Sequence, residues 1–166
     1  MSDAPPSFER VVADYGGLIS RIARSYEADP ALREDLVQQI FLAIWQSLPG
    51  FRGDSSLKTF VARIAQNRSI SHVARQARQP ASAELSPELP TSLPSPEDHA
   101  NEAAERRLLM DATRRLPLPQ REVVILLLEG FSYAEIADML GIAQNALALR
   151  LSRAKAALKS MLERGA

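Results

Sequence analysis

The 166-residue chain contains no cysteine and only two histidines, His72 and His99. Disulfides, thiolate metal sites and thiol nucleophiles are therefore excluded, and little is left for imidazole metal sites or histidine-based catalysis. The glycine loop of phosphate-binding enzymes and the HExxH and GxSxG signatures are also missing from the sequence. We therefore predict that the chain is not an enzyme and that it holds neither a cofactor nor a metal.

Long apolar runs are missing as well. No stretch approaches the roughly 20 residues that span a bilayer, and residues 1–7 lack the basic and apolar regions of a secretory signal. We expect no insertion into a membrane and a cytoplasmic location. Hydrophobic residues make up 46% of the chain, which favours a folded globular protein over a disordered one.

The formal net charge is zero, but the charges are unevenly distributed. Residues 80–105 carry six acidic and no basic side chains, whereas residues 106–166 carry ten basic and six acidic ones. Residues 51–79 carry six basic side chains and one acidic. Clustered positive charge is typical of proteins that bind polyanions, although arginine-rich helix faces also serve only to keep a protein solvated.

Proline is concentrated in the acidic segment, where five prolines fall within residues 80–96. Proline removes helix hydrogen bonds, and the segment has few apolar residues with which to build a core. We predict an all-α protein in which residues 80–105 form a flexible acidic linker, extended over 80–100. The linker joins a helical domain at 1–79 to a second at 106–166. Fully stretched, its 26 residues span about 85 Å.

Apolar residues at three- and four-residue intervals predict three helices in the first domain. The first helix starts near Phe8, and the second opens at Asp29-Pro30 and stops before Pro49-Gly50. The third begins near Leu57, and its second half does not follow a single apolar face. The apolar stripe predicted for the second helix is Leu36, Ile40, Phe41, Ile44, Trp45 and Leu48.

The second domain contains the pattern of a helix-turn-helix. A helix from Pro117 is followed by the capping box Ser132–Glu135, a short helix and a turn at Gly141. A last helix from Gln144 has a basic outer side, which suits a helix in the major groove. An ordinary helical hairpin with a glycine C-cap gives the same pattern, so this motif alone leaves both interpretations open.

Several strings in the same order resemble the extracytoplasmic-function sigma factors, the smallest members of the bacterial sigma-70 family. They are residues 34–45 (EDLVQQIFLAIW), 51–56 (FRGDSS), 63–67 (RIAQN), 118–123 (LPQREV), 130–137 (GFSYAEIA) and 150–155 (RLSRAK). The resemblance implies a sigma-2-like bundle and a sigma-4-like helix-turn-helix domain. It also implies a protein that binds core RNA polymerase, through its beta-prime clamp and beta flap, and promoter DNA.

The resemblance also assigns roles to residues of the first domain. Clamp docking falls on Asp35, Gln38, Gln39 and Leu42, a face that would otherwise be merely solvated. Recognition and opening of the −10 element fall on Phe51, Arg52, Gly53, Asp54, Ser55, Ser56, Lys58, Phe60, Arg63, Asn67, Arg68 and Arg75. The loop at residues 51–56 would hold an extruded base, or be a plain surface turn. His72 would either offer a hydrogen bond to DNA or be exposed filler.

In the second domain, the resemblance implies that the last helix reads the −35 element. The residues concerned are Gln144, Asn145, Ala148, Leu149, Arg150, Ser152, Arg153 and Lys155. Apolar Ala148 and Leu149 suit thymine methyl groups, and Arg153 is the best candidate for a bidentate base contact. Arg150 is either a phosphate contact or structural.

The family is usually controlled by an anti-sigma factor, so we expect such a partner. The acidic linker either threads the polymerase or is an inert spacer. The alternative function is a free-standing helix-turn-helix regulator that binds duplex operators, usually as a dimer.

Overall fold

The computed structural model describes residues 4–79 and 97–164, with backbone only for 97–100. Seven α-helices follow one another, and the described residues contain no strand, which confirms the all-α prediction. The N-terminal lobe consists of α1 (Phe8–Tyr26), α2 (Pro30–Ser47), a 3₁₀ turn (Leu48–Gly50) and α3 (Leu57–Arg78). The C-terminal lobe consists of α4 (Glu97–Arg115), α5 (Leu118–Leu128), α6 (Tyr133–Leu140) and α7 (Gln144–Arg164).

Side-chain caps start the three helices of the N-terminal lobe. The Oγ of Ser7 accepts from the backbone N–H of Arg10 at 3.2 Å, and Oδ1 of Asp29 accepts from the N–H of Ala31 at 2.9 Å. The Oγ of Ser56 caps α3 in the same way. Each cap satisfies a backbone donor that has no partner inside its own helix, so these polar residues fix where the helices begin.

The buried face of α2 follows the predicted apolar stripe, with one exception. Leu36, Ile40 and Ile44 are fully buried on α2, but Trp45 is 60% exposed. The prediction that Trp45 belongs to the buried stripe is wrong, because each residue turns the helix by about 100° and Trp45 lies that far beyond Ile44.

The second half of α3 is buried through polar side chains, which explains why its apolar pattern fades. Gln66, Ser69 and His72 are all at most 5% exposed. The hydroxyl of Ser69 donates to the carbonyl of Ala65 at 2.7 Å, and Nε2 of His72 lies 2.8 Å from Oε1 of Glu27. The amide Nε2 of Gln66 donates to the backbone carbonyl of Glu122 at 3.1 Å, so each of these three side chains has at least one partner, which makes its burial tolerable.

The helix-turn-helix geometry of the C-terminal lobe is present as predicted. The side chain of Ser132 caps the N–H of Glu135, and the Glu135 carboxylate accepts from the N–H of Ser132, which completes the capping box. Gly141 ends α6 with φ of +65°, a conformation that favours glycine. Leu147, Leu151 and Ala154 of α7 are buried as its inner face.

Helix α4 was not predicted, and it corrects part of the linker. It begins at Glu97 and therefore includes residues 97–105, which were assigned to the flexible segment. The physical reason is composition, since no proline or glycine occurs between Pro96 and Pro117 and alanine, leucine, arginine and glutamate are abundant there. The prediction of an extended linker at residues 80–96 lies outside the described residues.

The two lobes pack against each other. Buried apolar side chains of α1–α3 and of α5–α7 form one continuous cluster, in which Ile22 and Val61 of the first lobe join Ile125 and Ile136 of the second. A smaller cluster of Leu116, Val124 and Ala154 lies within the C-terminal lobe.

This packing predicts a large loss of stability from a substitution at one position of α2 and a small change from a substitution two residues away. Ile40→Ala removes a fully buried side chain and should lower the free energy of unfolding by about 2–5 kcal/mol. Leu42→Ala removes a side chain that is 55% exposed and should change it by less than about 1 kcal/mol. Urea unfolding followed by circular dichroism measures both, and equal losses would contradict the assignment of faces.

Candidate nucleic-acid interface

The exposed face of α2 combines polar and apolar side chains. Asp35 and Gln38 are exposed, Gln39 is half-buried, and Leu42 is 55% exposed. Trp45 lies on the same side, because positions 38, 42 and 45 recur at helical spacing. We call Leu42 and Trp45 the apolar strip. The exposed tryptophan was missed as a site residue because its apolar character fitted the buried stripe equally well.

The loop at residues 51–56, before α3, is held by contacts at both ends and exposed to solvent in the middle. At one end the rings of Phe51 and Phe60 pack at 4.8 Å between centroids. At the other, Ser56 is engaged in its cap with Thr59. Between them Arg52, Gly53 and Asp54 are exposed, Ser55 is half-buried, and Gly53 has φ of +77°. Phe60 therefore supports the loop by packing against its first residue, Phe51.

One side of α3 is a row of exposed polar and basic side chains. Arg63, Asn67, Arg68 and Arg75 are all exposed and fall within a sector of roughly 140° around the helix axis. We call these four residues the basic row. Positive charges spaced along one helix face are suited to contacts with successive phosphates.

Two other polar residues of α3 do not join the basic row. His72 is 5% exposed and lies against Glu27, so it is neither a DNA contact nor exposed filler, and both interpretations are wrong. Lys58 is half-buried, and its Nζ donates to the backbone carbonyl of Glu129 at 2.8 Å while lying 4.6 Å from the centroid of the Phe131 ring.

The outer face of α7 is exposed along its length. Seven of the eight residues predicted to read the −35 element are exposed on it, namely Gln144, Asn145, Ala148, Leu149, Ser152, Arg153 and Lys155. Leu149, an apolar residue of this face, is 51% exposed. Arg150 is only half-buried and interacts favourably with the carboxylate of Glu122. That interaction supports a structural role for Arg150.

Burial shifts the titration of groups where α5 meets α1. Desolvation raises the pKa of Glu122 above its ordinary value, opposed by the charge of Arg150. Desolvation also raises the pKa of Tyr26 far above its ordinary value, with a further contribution from the charge of Glu122. The guanidinium of Arg121 lies 5.8 Å from the centroid of the Tyr26 ring, and burial lowers the pKa of Arg121.

Within residues 4–79 and 97–164, no group of three or more metal-ligating side chains comes together. No helix of this part of the chain is both long and apolar enough to cross a membrane. The surfaces that remain are the apolar strip, the exposed loop, the basic row and the outer face of α7.

Comparison with known proteins identifies relatives of both lobes. The family model described as Sigma-70 region 2 matches residues 11–79, and the model described as Sigma-70, region 4 matches residues 106–158. The chain is 30% identical to the RNA polymerase sigma factor NccH of Alcaligenes xylosoxydans xylosoxydans, over 95% of this chain and 87% of that protein.

Two solved structures are similar over nearly the whole chain. One is CnrH in complex with the cytosolic domain of CnrY, with a TM-score of 0.69, 25% identity and coverage of 96% of this chain and 89% of that one. The other is the sigma factor RpoE in complex with the anti-sigma factor NepR from Bartonella quintana. Its TM-score is 0.70 at 25% identity, with coverage of 94% of this chain and 96% of that one.

The shifted titration of Glu122 predicts a pH-dependent effect of Glu122→Gln. Because burial raises the pKa of this carboxyl in the folded protein, its ionised form opposes folding at neutral pH. The variant should therefore be more stable than the parent at pH 7, by less than about 1 kcal/mol since the group is partly solvated. The difference should vanish below the ordinary carboxyl pKa, where Glu122 is neutral in both states. Denaturant titrations of both proteins from pH 3 to 8 measure it, and a difference independent of pH would refute the account.

Proposed function

Because the chain belongs to the sigma-70 family, in its extracytoplasmic-function group, we propose that it loads onto core RNA polymerase and directs initiation at promoters by reading −10 and −35 elements. The observation that carries this proposal is the apolar strip on the same lobe as the basic row, with a helix-turn-helix on the other lobe. Since polymerase and promoter DNA meet in the cytoplasm, we assign its activity there, as a specificity subunit without chemistry of its own.

Polymerase docking is assigned to the exposed face of α2. Asp35, Gln38 and Gln39 supply polar contacts to the clamp, and Leu42 and Trp45 supply the apolar centre. Large apolar side chains surrounded by polar ones are typical of protein interfaces. Trp45 extends the docking surface by one helical turn beyond the residues that the sequence resemblance indicates.

Recognition of the −10 element is assigned to the loop at residues 51–56 and to the basic row. Extrusion of a base costs a few kcal/mol of unstacking, which contacts in a pocket must offset. The exposed backbone around Gly53 supports this role, because a glycine there lets a base approach closely. Phe60 is half-buried against Phe51, so its role is to support the loop.

Recognition of the −35 element is assigned to the outer face of α7. Ala148 and Leu149 suit thymine methyl groups, and Arg153 suits the bidentate contact to guanine. Gln144, Asn145 and Ser152 supply further polar contacts, and Lys155 supplies a phosphate contact. The exposure of all seven side chains supports this assignment, since a recognition helix must present its outer face to DNA.

We also propose control by an anti-sigma factor. The solved structure of the similar sigma factor RpoE contains the anti-sigma factor NepR. The apolar strip supports the same expectation here, because a protein that covers it would prevent docking on the polymerase.

The alternative, a free-standing helix-turn-helix regulator, requires a helix-turn-helix and usually a dimer interface. That function does not explain why Leu42 and Trp45 are exposed on the N-terminal lobe, which also carries the basic row of α3. The two functions differ in whether core polymerase is required for binding to DNA.

Leu42→Ala tests the docking surface. It should weaken binding to core RNA polymerase by roughly tenfold, because truncating a central interface residue costs 1 kcal/mol or more. Binding is measured by fluorescence anisotropy of labelled protein titrated with core enzyme. The matched control is Val12→Ala, which removes an apolar side chain on α1 that is 39% exposed and lies outside the docking residues. Equal affinities of Leu42→Ala and the parent would remove Leu42 from the interface.

Arg153→Ala and Lys155→Ala separate base reading from phosphate contact. Loss of Arg153 should cost roughly 1–3 kcal/mol on preferred −35 sequences and relax selectivity, whereas loss of Lys155 should weaken binding equally on all sequences and reduce the salt dependence. Holoenzyme binding to a library of −35 sequences at two salt concentrations measures both effects. A uniform loss for Arg153→Ala would reassign it as a phosphate contact.

A further inference from the structure

The side chain of Glu27 connects the three helices of the N-terminal lobe. Glu27 directly follows α1, and its backbone N–H donates to the carbonyl of Ala23 at 2.9 Å. Its Oε2 accepts at 3.2 Å from the backbone N–H of Asp29, the residue that caps α2. Its Oε1 lies 2.8 Å from Nε2 of His72 on α3. Because a carboxylate oxygen only accepts, the imidazole nitrogen of His72 donates this hydrogen bond.

His72 is the last buried residue of α3. Its side chain is 6% exposed and that of Glu27 is 15% exposed, whereas residues 73–78 are half-buried or exposed. Ser69, nearly one turn earlier, is also buried, but its hydroxyl donates within α3, to the carbonyl of Ala65. The hydrogen bond to Glu27 therefore ties the end of α3 to the rest of its lobe.

Two members of the basic row lie beside this hydrogen bond. At 100° per residue, Arg68 and Arg75 project about 40° and 60° to one side of His72, whereas Arg63 projects about 180° away. Arg75 also lies beyond His72, in the part of α3 that has no buried residue. A displacement of the end of α3 would therefore move Arg68 and Arg75 more than Arg63.

We propose that Glu27 and His72 are positioning residues for the −10 element, and that their hydrogen bond holds Arg68 and Arg75 where they contact phosphates. The inference rests on the proposed function for what the two arginines bind. His72 acts through the arginines and does not touch DNA, in keeping with its burial. Loss of either partner leaves the other buried without this hydrogen bond, and the end of α3 then moves to relieve the cost.

The hydrogen bond itself is tested in the free protein. The chain has two histidines, so nitrogen–proton spectra of labelled imidazole rings are simple to assign. The parent should give an imidazole N–H signal that exchanges slowly with water. This signal should disappear in His72→Ala and shift in Glu27→Gln. A parent without a slowly exchanging imidazole signal would overturn the pair, and the result does not depend on the proposed function because polymerase and DNA are absent.

The salt dependence of promoter binding tests the positioning role. Parent holoenzyme selects a template from a randomised promoter library, and its affinity is then measured between about 50 and 200 mM salt with excess core polymerase. Each lost phosphate contact lowers the slope of log affinity against log salt by about 0.7–0.9. For two contacts, His72→Ala should lower the slope by roughly 1.4–1.8 and weaken binding at low salt about tenfold. His72→Gln, whose amide N–H can replace the ring donor, should stay within about twofold of the parent.

Two controls separate positioning from a loss of stability. Ile19→Val shortens a fully buried side chain of α1 and lowers stability while both partners of the hydrogen bond remain, so its salt slope should equal the parent's. The double variant Arg68→Ala, Arg75→Ala should lower the slope as His72→Ala does, and adding His72→Ala to it should change nothing further. Circular dichroism sets a temperature at which every variant is folded.

Each result supports or overturns the proposal. An unchanged slope in His72→Ala would overturn the positioning role, and so would equal losses in His72→Ala and His72→Gln. The same holds if His72→Ala lowers the slope further in the arginine double variant, or if Ile19→Val lowers it equally. If the parent with core polymerase selects no template, the proposed function fails together with the role of the arginines, whereas the imidazole signal still establishes the hydrogen bond.

Discussion

Burial of one apolar face on each helix is the constraint on which the rest of the structure depends. Because Ile40 and Ile44 are buried in the core and each residue turns the helix by about 100°, Leu42 and Trp45 must point outward. In the same way, burial of Leu147, Leu151 and Ala154 leaves Leu149, Ser152 and Arg153 outside. The surfaces available to polymerase and DNA are thus the helix faces that the core does not bury.

The same constraint links the lobes to each other. Their apolar side chains form one cluster, and polar side chains also join the lobes, since Arg21 and Lys58 both donate hydrogen bonds to Glu129. A face of this composition holds two domains together without making them one permanent core, as is usual for contacts between domains.

The sequence predicts much of this architecture because local signals are strong. The caps at Asp29 and Ser132 and the positive φ of Gly141 are encoded within a few residues. Burial that depends on distant partners was not predictable. His72 pairs with Glu27, 45 residues away, and Lys58 with Glu129, 71 residues away, and no periodicity reports such pairs. Helix α4 was missed because the prolines before it dominated the composition of the segment. Trp45 was placed on the buried face because an apolar pattern alone does not show which of its residues lies beyond the edge of that face.

Run-off transcription over a randomised promoter library, with core RNA polymerase reconstituted with this chain, tests the central claim most directly. The account predicts transcripts from a subset of templates that share two sequence elements at a fixed spacing. Transcription no greater than that of core enzyme alone, together with tight binding of the free chain to intact duplex, would contradict it.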